Sequence, residues 1–272
     1  MRWINSKPGR GTMLFLMLMP FAVVVAAYIY GSVTRLSANP NDKLLPGLAG
    51  LGDAIQRMAF LADPHTGEIL LWSDSKASLF RLFAGLGIST AIALLVGMGI
   101  GMLPYIRSLL SPFVAAVSMV PPLALLPILF IALGLGEISK IALIVIGIAP
   151  TMIRELAMRA QELPREQVIK AETLGGSSWQ IGLRVFLPQI LPRLITSMRL
   201  QLGPAWLFLI AAEAISSDSG LGYRIFLVRR YLAMDVIFPY VIWITALAVL
   251  TSLLLDQLRK WLFAWFDLEA TA

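Results

Sequence analysis

Cysteine is absent from this 272-residue chain, and histidine occurs once, at His65. The first absence excludes a disulfide framework, thiolate metal sites and a cysteine nucleophile. The second excludes a multi-histidine metal centre, and a lone histidine between Pro64 and Gly67 reads as a turn residue. Charge is scarce too: 14% of the residues are charged, against about 25% in an ordinary soluble domain. None of the six lysines (Lys7, Lys43, Lys76, Lys140, Lys170, Lys260) ends a G-x-x-x-x-G-K-[ST] phosphate loop. If ATP matters to this chain, another chain binds it, and no catalytic residue, metal or cofactor of its own is expected.

What the chain has in abundance is apolar surface. Hydrophobic residues make up 58%, and the mean hydropathy is +0.80. A bilayer-crossing helix needs about 20 apolar residues, so the length accommodates six spans. They are expected over Met13 to Tyr30, Leu79 to Pro104, Pro112 to Leu133, Ile138 to Met158, Leu191 to Ile215 and Val236 to Leu255. The first run is long and lacks a clear cleavage site, so it reads as a span and not as a signal peptide. Between the first two spans, Leu48, Leu51, Ile55 and Met58 recur at helical spacing and predict a short amphipathic helix on the membrane surface or on the protein. Gly97 and Gly101 form a G-x-x-x-G pair that lets helix backbones approach closely. Gly134-Leu135-Gly136-Glu137 reads as a tight turn between spans three and four.

Six spans put both termini on one side. With the amino end inside, 12 Lys and Arg fall inside, 7 fall outside, and Arg81, Lys140 and Arg199 lie at or within spans. The positive-inside rule favours cytoplasmic termini. The net charge of +6 is then explained by membrane topology, and no nucleic-acid partner is expected. Arg224, Arg229 and Arg230 cluster on the opposite side, where solvation or lipid contact is the plainer reading and docking of another protein the sharper one.

The polar stretch Arg159 to Pro188 cannot span. Pro164 suits the first turn of a helix, Arg165 to Leu174 are good helix formers, and Gly175 fits the left-handed position after a helix end. Ser177 and Gln180 have the spacing of a capping box that starts a second helix, which Pro188 and Pro192 are expected to close. Helix, glycine turn and helix make a rigid cytoplasmic protrusion.

Gly175, nine further residues and Val185-Phe186-Leu187-Pro188 resemble the second half of the cytoplasmic signature of ABC importer permeases. The family's opening Glu-Ala-Ala falls on Ile169, Lys170 and Ala171, of which only Ala171 matches. Across roughly residues 75 to 262 the chain looks most like the nitrate, sulfonate/taurine and bicarbonate branch, through Met119-Val120-Pro121-Pro122, Thr173-Leu174-Gly175, Ala211-Ala212-Glu213-Ala214-Ile215 and Gly220-Leu221-Gly222. Asn39 to Pro46 and Gly222 to Tyr231 resemble permeases associated with urea carboxylase, which are thought to serve guanidine-type nitrogen compounds.

The resemblance implies an all-α, six-span type I ABC importer permease in a bacterial inner membrane. Its segments would be 1–77 (tail, first span and outer loop), 78–262 (core permease with coupling segment 159–188) and 263–272 (tail). It implies two permease chains, here two copies, with two ATPase subunits below and a substrate-binding protein outside. Lys170, Ala171, Glu172, Gly175, Leu187 and Pro188 would couple to the ATPase. Pro121, Pro122, Pro204 and Glu213 are the candidate pathway residues. The prolines read either as kinks of a packing helix or as a broken helix lining a pathway.

Glu213 carries the sharpest expectation. A carboxylate at a span centre costs about 2.5–3.5 kcal/mol and less near an end, so it needs a partner or a wet cavity. Arg199, 14 residues back, is about 21 Å away along the helix and out of reach. Glu213 therefore has a structural partner elsewhere, or faces the pathway and holds a small cation such as guanidinium. A guanidine- or urea-like solute is the first reading, a nitrate, sulfonate or bicarbonate anion the alternative. An ATP-independent channel or transporter, or a membrane enzyme, fits less well, because Glu213 and Arg199 are the clear internal charges.

Overall fold

The computed structural model describes residues 9–40, 42–64 and 67–269. The readings at Lys7, Asn41 and His65 lie outside the described residues. The elements are α1 (Arg10–Ala38), α2 (Leu48–Ala59), α3 (Leu70–Met102), α4 (Pro104–Val117), α5 (Pro122–Leu133), α6 (Glu137–Gln161), α7 (Arg165–Thr173), α8 (Ser178–Ser216), α9 (Leu221–Arg229), α10 (Met234–Leu262) and α11 (Ala264–Glu269). No strand occurs among the described residues, as an all-α reading requires. Among the described residues, five helices are long and apolar enough to cross a membrane, and α4 with α5 makes a sixth, broken candidate bent by 81°.

The chain divides into two compact units. The first comprises the residues up to Ile69 together with Val228–Tyr240. In it, the Tyr28 hydroxyl donates to the Pro46 carbonyl at 2.7 Å, and Ser32 donates to the carbonyls of Leu45 and Pro46. These bonds tie α1 to the chain leading into α2. Asp42 accepts from the Leu44 amide and from Arg35, which together hold its carboxyl below the usual carboxylate range. Arg57 of α2 pairs with Asp235 at 3.2 Å. The amphipathic helix expected around Leu48 to Met58 is α2, with Ala54 and Ala59 on its buried side.

The second unit, Leu70–Leu227 with Val241–Ala272, is organised around α6. Leu143, Ile144, Ile148, Met152 and Leu156 are at most 1% exposed. Close approach is made by small residues, as lipid-embedded helices require. A Cβ on Gly97 would lie 3.0 Å from that of Leu156, and one on Gly101 would run into Ala160. The G-x-x-x-G pair of α3 is thus a packing face against α6.

One expectation needs correction. The helix of the second span begins at Leu70, not Leu79, because Asp74, which reads as part of the polar outer loop, is buried against partners. Of the two readings of the third-span prolines, the structure gives the broken helix: Pro121 is extended (ψ 115°) and divides α4 from α5. Proline bars its predecessor from the helical region, and two in succession enforce the break.

Candidate functional site

The coupling segment folds largely as its residues dictate. α7 is exposed along its length, with no buried residue. Pro164 caps it from outside instead of occupying its first turn. Gly175 has φ +80°, its amide bonds the Glu172 carbonyl, and that of Gly176 bonds Ala171, so two orphan carbonyls of the helix end are satisfied. Sequence reasoning missed Gly176: a Cβ there would sit 2.8 Å from the Ala171 oxygen. The capping box is present in both directions, Ser177 Oγ accepting from the Gln180 amide and the Gln180 side chain accepting from the Ser177 amide. Lys170, Glu172 and Gly175 are exposed and Ala171 is half-buried, while Leu174 and Trp179 are 88% and 75% exposed. Two large apolar side chains held out by a capped turn form a surface that another protein can cover.

Pro188 and Pro192 do not close the second helix. It runs from Ser178 to Ser216 without a stop, through a π turn at Gly182–Phe186. That wider turn changes the hydrogen-bond register just before Pro188, which has no N–H to give. Leu187 and Pro188 begin the regular helix. The second helix of the protrusion and the membrane helix are therefore one continuous helix of 39 residues.

At the far end of α8, Glu213 is 0% exposed. Its carboxylate accepts from Arg81 Nη1 (2.6 Å), Ser78 Oγ (2.8 Å) and the Gly222 amide (2.8 Å). Arg81 also grips Glu137 with two nitrogens and donates to the Ser219 carbonyl at 2.8 Å. Lys140 joins Glu137 at 3.0 Å. Asp74, 1% exposed, accepts from the Gly220 amide and from Arg224. Three carboxylates (Asp74, Glu137, Glu213) meet three cations (Arg81, Lys140, Arg224), so the cluster is neutral. It pins the 217–222 turn onto α3. The turn needs Gly220 at φ +126°, where a Cβ would lie 2.5 Å from the Glu213 carboxyl carbon.

Of the two readings of Glu213, the structure gives the structural partner elsewhere in the chain: Arg81, Ser78 and Gly222, all protein groups of this unit. Arg224 is corrected, from a solvated or lipid-facing cation to the partner of Asp74. Glu213 and Arg199 are not the only internal charges. The signal for the others was present, since Asp74, Ser78 and Arg81 recur at i, i+4 and i+7 on one helix face. Arg199 pairs instead with Asp256 of α10.

The four candidate pathway residues do not converge. Pro121 and Pro122 form the elbow between α4 and α5. Pro204 lies on an exposed face of α8, about 14 Å and two and a half turns before Glu213, hence on the opposite side of the helix.

Comparisons with known proteins agree with this architecture. Residues 86–267 match the profile of the family described as binding-protein-dependent transport system inner membrane component. The taurine transport system permease protein TauC of Escherichia coli (strain K12) is 36% identical over 213 residues, 78% of this chain and 77% of that protein. The bicarbonate transport system permease protein CmpB of Synechococcus elongatus is 30% identical over 197 residues, 72% of this chain and 69% of that one. In fold, the chain is similar to a solved bacterial ABC transporter involved in the import of alginate, with a TM-score of 0.61 at 13% identity, covering 92% of this chain and 96% of that one.

Proposed function

Because the chain belongs to the family of binding-protein-dependent transport system inner membrane components, we propose that it is the permease subunit of an ATP-driven importer whose solute is a small oxyanion. That it is the permease component of an ABC importer follows from the family. The solute class is carried by the chemistry of the relatives' solutes. Taurine presents a sulfonate and bicarbonate a carboxylate-like oxyanion, and a taurine permease is 36% identical to this chain. The guanidine- or urea-like solute has no comparable support, and Glu213, the group invoked to hold such a cation, is engaged by Arg81, Ser78 and Gly222.

In the proposed assembly, two copies of this chain stand side by side in a bacterial inner membrane with both termini cytoplasmic. ATPase subunits engage the Gly175 turn through Leu174, Trp179 and the polar side chains of Lys170 and Glu172, and ATP is bound there and not by this chain. A substrate-binding protein outside delivers the solute. Closure of the ATPase pair moves the turn, and α8 transmits that movement, because its helix is unbroken from Ser178 to Ser216. The cycle is a two-state equilibrium biased by a nucleotide that binds one state better.

The test is uptake into proteoliposomes holding this chain, its ATPase and its binding protein. ATP-dependent accumulation of taurine, an alkanesulfonate, bicarbonate or nitrate, with none of guanidinium, is the expected result. Accumulation of guanidinium with none of the oxyanions would reverse the assignment. Uptake without ATP would remove the importer reading altogether.

A further inference from the structure

Two helices of the second unit face each other with matching stripes. On α4 and its C-cap these are Ser111, Val114, Ala115 and Ser118, and on α6 they are Arg154, Ala157, Met158 and Gln161, each at i, i+3, i+4 and i+7. Between them lies a cavity of about 240 Å³, lined by all but Ser118 of these residues and by Ile100. Its lining holds one charge, Arg154, and no carboxylate. The neighbouring Glu155 is turned elsewhere, accepting from Ser197 at 2.6 Å.

Arg154 is exposed and differs from the buried and half-buried cations of the unit. Arg81, Lys140 and Arg199 are each paired with a carboxylate, and Arg107 donates to the end carbonyls of α3 at Ile100 and Gly101. Arg154 donates to the hydroxyl of Ser118 at 2.9 Å. That hydroxyl spends its own proton on the Ala115 carbonyl at 2.8 Å, so it can only accept. A guanidinium has five N–H donors in a planar fork suited to an oxyanion, and one of them is used in this bond. Ser118 ends α4 immediately before the Pro121–Pro122 elbow, so the fork is anchored at the break in the third span. Gln161, about 10 Å further along α6, ends the helix that leads through three residues into α7.

We infer that the Arg154 fork, with Ser111 as a further donor, is a binding site for the transported oxyanion on its way out, at the end of the bundle that carries the coupling segment. The inference rests on the permease reading above. A cavity with one cation and no countercharge favours an anion of carboxylate, sulfonate or nitrate type, and its size admits a solute of a few heavy atoms. A lipid phosphate offers the same chemistry, and the experiment separates the two.

The assembled transporter is placed in nanodiscs of phosphatidylcholine alone or with phosphatidylglycerol and treated with phenylglyoxal, an arginine-selective reagent. Modification of Arg154 and of Arg159 is read by peptide mass spectrometry. The expected result is saturable protection of Arg154 by ethanesulfonate in phosphatidylcholine, with none by tetramethylammonium chloride at equal ionic strength and no change at Arg159, which pairs with Glu162. Protection that follows phosphatidylglycerol and ignores ethanesulfonate, or no protection at all, overturns the assignment. In the same transporter Arg154→Gln lowers ATP-driven sulfonate uptake at least about tenfold, the equivalent of one lost charge-assisted bond, and Arg154→Lys restores part of it. Unchanged uptake in Arg154→Gln also overturns the site. A wrong permease reading shows separately, as wild-type vesicles without ATP-driven uptake, a result on which the protection measurement does not depend.

Discussion

Arg81 and Glu213, 132 residues apart in sequence, meet at 2.6 Å with side chains that are 4% and 0% exposed. Removing Arg81 leaves the Glu213 charge buried without its ion-pair partner, which costs about 3–5 kcal/mol, whereas removing the Glu213 charge leaves Arg81 paired with Glu137 and costs less. Glu213→Gln and Arg81→Gln are each expected to lower the thermal unfolding midpoint of the purified chain in detergent. The double variant should lose less than the sum of the singles, because the two groups share one interaction. Additive losses would mean that the pair is not coupled.

Gly220 gives an independent check on the same cluster. Gly220→Ala combines a strained backbone, worth about 1–2 kcal/mol, with a Cβ 2.5 Å from the Glu213 carboxyl carbon. Gly67→Ala sits at φ +70°, close to the left-handed region that other residues can visit, and has nothing within 4 Å of its Cβ. Gly220→Ala should therefore unfold at clearly lower temperature than Gly67→Ala. Equal midpoints would show that the 217–222 turn is not held against Glu213.

The coupling segment was legible because its signals are local. Gly175 requires its left-handed φ whatever surrounds it, and Ser177 with Gln180 closes a capping box within four residues. The ion cluster was not legible for the opposite reason. Asp74 and Arg224 are 150 residues apart, and nothing near either announces the other, so Asp74 passed for part of the polar loop before a span whose helix starts nine residues earlier. Pro188 misled in another way. Proline normally stops a helix, but a π turn directly before it removes the conflict, and no local residue type signals a π turn.

Topology offers a third test, helped by the absence of cysteine. Ser178→Cys is expected to react with an impermeant thiol reagent only after the cells are opened on the cytoplasmic side, and Leu61→Cys, 52% exposed as leucine, in intact cells. This follows from the 12-to-7 distribution of Lys and Arg. Labelling of Ser178→Cys in intact cells would invert the orientation.

Gly176 provides a fourth. Its Cβ would press on the Ala171 oxygen at 2.8 Å, so Gly176→Val should loosen the end of α7 while the membrane helices stay packed. The expected outcome is faster proteolysis between residues 170 and 180, with the unfolding midpoint of the remainder unchanged. Cleavage at the wild-type rate would argue that this close approach is not needed to hold the turn.

The central claim is that the exposed turn at Gly175 passes work from an ATPase to α8. It is tested most directly by binding-protein-stimulated ATP hydrolysis in the assembled transporter, comparing wild type with Gly175→Val at equal membrane abundance. A β-branched side chain at φ +80° is strained and should displace Leu174 and Trp179 from the surface they present. The account predicts that stimulation falls to the unstimulated level and uptake with it, while the permease remains inserted. Full stimulation and full uptake in Gly175→Val would contradict it.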